Sequence, residues 1–196
     1  MKLFIGLILV CLIGAFLSWN KRAVEQPAGV LVSDQPVQKN LPEKRTVFEK
    51  EGFKITPLAE FKAEARVLLR EDYFWDDGAA IAPVDLALGW GRMSDNDVLE
   101  HLEFSQSNRF YYWSTADFPI PRREIETHSA NMHMIPASRT VEKQLKKVRQ
   151  GNIVRFEGYL VEVYGENGWL WRSSLTRDDT GNGACELIWV EKLEVF

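Results

Sequence analysis

The stretch Leu145-Lys146-Lys147-Val148-Arg149-Gln150-Gly151, running directly into Asn152-Ile153-Val154-Arg155-Phe156-Glu157-Gly158-Tyr159-Leu160-Val161, decides how this chain folds. Its first half completes a helix that Ser138 caps, with Val141, Leu145 and Val148 on one face. Arg139, Lys143, Lys146, Lys147 and Arg149 cover the remainder, and Gly151 stands where a helix ends. Beyond that glycine the period changes to two. Val154, Phe156, Gly158 and Leu160 alternate with Arg155, Glu157, Tyr159 and Val161, which is the signature of a strand with one buried face.

The same period marks Phe61, Ala63, Ala65, Val67 and Leu69 against Lys62, Glu64, Arg66, Leu68 and Arg70, and a shorter strand is expected over 47–55. Residues 82–91 mix apolar and small residues without a period and read as a loop. Ser94-Asp95-Asn96-Asp97 supplies an N-cap and first turn, so a short helix is expected from Asp95 to Phe104. Asn108–Ser114 is aromatic and strand-prone, and 125–135 reads as a further strand. Gly165-Glu166-Asn167-Gly168 turns the chain into Trp169-Leu170-Trp171-Arg172-Ser173, and a loop over 177–183 leads to a last strand. In that strand Cys185, Leu187 and Trp189 share one parity, while Glu186, Ile188 and Val190 share the other.

Strand, helix, strand, strand, strand is thus the order of the second half. From 125 to 196 this resembles the later part of an OB-fold barrel, in which a helix plugs the barrel base ahead of a glycine-containing strand. The expected class is α+β: mainly antiparallel β, an OB-like barrel with two short helices, preceded by one N-terminal transmembrane helix.

The helix is expected because Leu3 to Trp19 is an uncharged apolar run, long enough to cross much of a bilayer core of roughly 30 Å. The bulky and basic residues after it, Trp19-Asn20-Lys21-Arg22, do not suit a signal-peptide cleavage site, which favours an uncleaved anchor. Three parts follow: an anchor over 1–22, a flexible tether over 23–44 broken by Pro27, Pro36 and Pro42, and a single globular domain over 45–196. On this reading the chain is single-pass in the inner membrane through residues 3–19, its domain extracytoplasmic and open to an envelope protein partner. Separately, 82–95, 128–138 and 171–191 resemble segments of an uncharacterised family of small membrane-anchored or exported bacterial proteins, a resemblance that implies no activity.

A formal net charge of -4 and a pI near 5.5 argue against a general polyanion-binding surface, so nucleic-acid binding is not expected at large. Two groups of residues are able to bind. His128-Ser129-Ala130-Asn131-Met132-His133 carries donors and acceptors, but the two histidines have opposite parity on a strand and do not read as a metal pair. Arg172, Arg177 and Asp179 lie around the last loop, where Asp178-Asp179-Thr180-Gly181-Asn182-Gly183 has turn composition. Cys185 sits on a buried strand parity, where a structural thiol belongs.

The expected binding residues are therefore His128, Asn131, His133, Arg172, Arg177 and Asp179. No catalytic residue, metal or cofactor is expected. Two further readings compete with a binding or structural domain. One is a hydrolase using His128 or His133 with Asp179 or Cys185. The other is an OB-like domain whose aromatics, Trp169, Trp171, Tyr159, Tyr164 and Phe110–Trp113, stack single-stranded nucleic acid or a glycan.

Overall fold

The computed structural model describes residues 22–42, 46–76, 78–179, 181 and 183–196. Its organising strand is β3, Phe53–Asp72, with β1 (Val37–Asn40) and β2 (Phe48–Lys50) paired to it. At twenty residues β3 is long enough to serve two neighbours. Lys54 to Arg66 pairs with β8 (Ile153–Tyr164), and Arg66 to Asp72 pairs with β4 (Val84–Gly89). Register shifts at 57/59 and 67/69 bend it between the two partners.

The ring then closes. β4 pairs antiparallel with β7 (Ser129–Pro136), β7 runs parallel to β10 (Glu186–Val195), β10 pairs antiparallel with β8, and β8 returns to β3. Counting only the ring strands in chain order, the neighbours run 1-2-3-5-4-1, the Greek-key connectivity found in OB barrels. β9 (Leu170–Arg172) extends β8 outward, while β5 (Glu103–Ser107) and β6 (Phe110–Ser114) form a separate hairpin between β4 and β7.

Inward parity fills the barrel. Phe61, Ala63, Ala65 and Val67 of β3 meet Val154, Phe156 and Leu160 of β8, with the Phe61 and Phe156 rings 6.1 Å apart. Helix α3 (Arg139–Leu145), which follows α1 (Asn96–Leu99) and α2 (Arg122–Thr127) in the chain, brings Val141 and Leu145 into this cluster, and the turn after it brings Val148. Ser138 Oγ accepts from the Val141 N–H at its start. At its end the Arg70 guanidinium donates to the Leu145 carbonyl and, at 2.9 Å, to that of Val148. Gly158 is needed where β8 crosses β10, because a Cβ there would lie 1.9 Å from the Trp189 carbonyl oxygen.

The expected class is corrected in two respects. With 45% strand against 14% helix, the chain is mostly β rather than α+β. Among the described residues no helix is long and apolar enough to cross a membrane; Leu3 to Trp19, on which a transmembrane helix was expected, lies outside them. Residues 82–91 are not a loop but hold β4, whose residues are all buried. With both faces covered there is no alternation for a period of two to display. The strand expected over 125–135 starts only at Ser129, because Pro121 opens α2, which Arg122 and Glu126 brace at i,i+4. The helix expected from Asp95 to Phe104 contracts to α1.

Within 23–42, read as a tether, the chain is extended but docked on the barrel. The Val24 N–H donates to the Gln150 carbonyl, Gln26 Nε2 to that of Gly151, and Val32 is buried in the core.

Candidate functional site

The hairpin β5–β6 turns through Asn108 and Arg109, both with positive φ (51° and 69°), the geometry of a two-residue type I′ turn. This turn directs the Arg109 side chain back into the protein. Its Nη1 donates to Asp85 Oδ1 at 2.9 Å and to the Ala82 carbonyl at 2.8 Å, while Nε and Nη2 clasp both carboxylate oxygens of Asp76 at 2.8 and 2.6 Å. The guanidinium lies 3.7 Å over the Tyr73 ring, and the Arg109 N–H donates to the Tyr73 hydroxyl. Burial opposes the Arg109 charge, yet the Asp76 and Asp85 carboxylates outweigh it and raise its pKa.

Arg109 thereby ties the loop after β3 to the hairpin, and its backbone ties the hairpin to the barrel. The Asn131 Nδ2 of β7 donates to the Arg109 carbonyl at 2.8 Å, Gln106 Nε2 donates to Asn131 Oδ1 at 2.7 Å, and Cys185 Sγ approaches the same carbonyl at 3.7 Å. Nearer the base of the hairpin, the Tyr111 hydroxyl lies 2.6 Å from Ser129 Oγ, which donates to the Ile125 carbonyl.

Between this hairpin and the loop leading to β10 lies a cleft of about 480 Å³. Phe110, Tyr112, Trp113 and Phe118 give it an aromatic wall, with Arg122 and Glu126 at one end. Its floor is polar: Ser129, Asn131, Cys185 and Glu186. Arg177, Asp179, Gly181 and Ala184 form the opposite wall. That wall is held by Ser174, whose Oγ donates to Asp179 Oδ2 at 2.7 Å, and by Arg123, which donates to Asp178.

Glu186 is the unusual group of the floor. It shares the inward parity of Ile188 and Val190, is 1% exposed, and has Arg177 Nε 2.6 Å from its Oε1. Its Oε2 has no hydrogen-bond partner among the described residues. Burial pushes the carboxyl up to about 8, against the pull of Arg177. Arg177 also donates from Nη1 to Gln38 Oε1 at 2.9 Å and lies over the Phe61 ring. Cys185 is a poor nucleophile, since burial raises its thiol to about 12.

Of the residues expected to bind, Asn131, Arg177 and Asp179 line the cleft, although both amide groups of Asn131 are engaged in holding the hairpin. The others lie elsewhere. His128 ends α2 beside Thr127 and Gln35. His133 is buried beneath Trp171, ring centroids 4.6 Å apart, with Nδ1 2.9 Å from Asp85 Oδ2 but not aligned for a hydrogen bond. Arg172 pairs with Glu162 across β9 and β8. The two histidines have separate partners, and the described residues contain no cluster of three or more metal-ligating side chains.

Glu186, Arg109 and Asp85 were not anticipated. The signal for the acids was present: each is the lone carboxylate among apolar residues of its parity or run, Val84-Asp85-Leu86-Ala87-Leu88 and Glu186-Ile188-Val190. Arg109 had none, because its role depends on a turn conformation. No family model, curated protein or solved structure matches the chain.

Proposed function

We propose that the domain is a binding module without a catalytic step, and that its cleft takes a neutral polyhydroxylated ligand, a segment of an oligosaccharide. The observation that carries this reading is the pairing of an aromatic wall, Phe110, Tyr112, Trp113 and Phe118, with the polar side chains of Arg177 and Asp179 on the wall opposite. Sugar rings offer C–H faces to aromatic side chains and hydroxyls to a fixed acid and guanidinium. Arg177 and Asp179 on one wall, with Arg122 and Glu126 at one end, give both donors and acceptors without a strong net charge.

Two competing chemistries have less support. A polyanion would meet a cleft in which Arg122 and Arg177 are matched by Glu126 and Asp179, in a chain of net charge -4. A hydrolase built on Cys185 would need a thiolate that burial suppresses, and one built on His133 would need the ring uncovered from Trp171.

Calorimetric titration of the purified protein tests the reading. β-1,4-linked hexasaccharides of glucose and of N-acetylglucosamine are compared with an oligothymidylate of similar length. At least one hexasaccharide is expected to bind in the micromolar to low millimolar range, with little change between low and high salt. Binding of the oligothymidylate alone, with affinity falling steeply with salt, would overturn the proposal.

A further inference from the structure

Phe74 and Trp75 stand out on the surface. They occupy the loop between β3 and β4, 73% and 96% exposed, and no other large apolar side chains among the described residues are as open. A tryptophan this open contributes nothing to the core, and the residues that flank the pair are nonetheless fixed. Residues on both sides of the pair are held: Tyr73 under the Arg109 guanidinium and Asp76 by its two-pronged contact with it.

That fixation has a direction. The cleft follows β6 from Thr115 and Ser114 at its base to Phe110 at its tip, and Arg109 is the next residue. The residue next in the chain to the wall residue Phe110 is therefore the one that grips the loop bearing Trp75. Trp171 lies beside the same guanidinium, 5.4 Å from its ring, and Gly78 packs against Trp171, so the tip region is braced from the barrel side too.

We propose that Phe74 and Trp75 form an outlying subsite continuous with the cleft, and that the ligand is consequently a chain of several sugar units rather than a mono- or disaccharide. A segment seated along β6 leaves past Phe110, crosses the Arg109 turn and lays a further ring on Trp75. This rests on the reading of the cleft as an oligosaccharide site. Asp72 and Asp76 are each matched by an arginine, Arg70 and Arg109, so this end carries no excess charge and suits a neutral chain.

The experiment compares the disaccharide and hexasaccharide of β-1,4-linked N-acetylglucosamine by calorimetry, on the full chain and on Trp75→Ala and Tyr112→Ala. Trp75 makes no packing contact that its removal would break, and an unchanged melting temperature verifies this. The hexasaccharide is expected to bind at least tenfold more tightly than the disaccharide. Trp75→Ala should remove most of that advantage while leaving disaccharide affinity within twofold, whereas Tyr112→Ala should weaken both. Should the disaccharide bind but the hexasaccharide gain nothing, or should Trp75→Ala keep the full gain, the subsite is refuted and the cleft reading stands. If neither this series nor the matching β-1,4-linked glucose series binds, both fall.

Discussion

Replacing Arg109 by alanine tests the physical account of the site at its most connected point. Asp85 has 0% side-chain exposure and two neighbours able to answer its charge, Arg109 Nη1 at 2.9 Å and His133 Nδ1 at 2.9 Å, of which only Arg109 makes an aligned hydrogen bond. Truncation leaves a buried carboxylate without its cation, a change that costs about 3–5 kcal/mol. Loss of the Asp76 contact adds little, since Asp76 is 39% exposed and water replaces the partner. For a domain of this size each kcal/mol moves the midpoint by about 2–4 °C, so melting should fall by roughly 6–20 °C.

The assay is urea unfolding followed by tryptophan fluorescence, with the double variant Arg109→Ala/Asp85→Asn as the control. If the cost is that of a stranded charge, Asp85→Asn should recover more than half of it, because the amide needs no counter-ion. A loss below about 1 kcal/mol for Arg109→Ala, or a double variant no more stable than the single, would refute the argument.

Two other outcomes follow from the floor of the cleft. Glu186 has its pKa raised from 4.5 to about 8, so the folded protein retains a proton that the unfolded chain has released; its contribution to stability falls as pH rises through that window, by at most about 5 kcal/mol. Urea midpoints at pH 5, 7 and 9 should drop more steeply for the natural protein than for Glu186→Gln, and parallel profiles would remove the claim. For Cys185, a thiol held near 12 should react with a small disulfide reagent at pH 8 roughly a thousandfold slower than after unfolding, read at its own peptide by mass spectrometry; equal rates in the two states would show an accessible thiolate.

The elements legible in the sequence are those whose environment is one-sided. β8 and the middle of β3 each have one face on the core, so Val154, Phe156 and Leu160, or Phe61, Ala63 and Ala65, announce themselves by parity. The helix before β8 is equally plain, because Ser138 caps it and a single apolar stripe faces inward. β4 was missed for the opposite reason. Val84, Leu86 and Leu88 face the barrel while Ala87 faces the cluster under the hairpin, and a segment buried on both faces has no period. For the site, Asn131, Arg177 and Asp179 could be selected as polar residues near apolar strands, but so could His128, His133 and Arg172. Residue type and strand parity do not record which loops fold over which face.

The cleft is made where the barrel's rules are broken, and the breaks are mutually dependent. An apolar residue at Glu186 would complete the inward row of Ile188 and Val190; the carboxyl instead draws Arg177 in from the loop, and that arginine brings Asp179 and its wall with it. On the other side, Asp85 occupies a position that burial alone would give to an apolar residue, and it draws Arg109 inward from a turn with two positive-φ residues. Each buried acid thus recruits an arginine from an insertion, and the two insertions so anchored are the two walls of the cleft. An apolar pair at Glu186 and Asp85 would serve barrel stability at least as well, since buried ion pairs rarely outperform well-packed apolar groups. What the acids add is a fixed placement of the aromatic hairpin opposite Arg177 and Asp179, and it is this placement that the proposed binding of a saccharide uses.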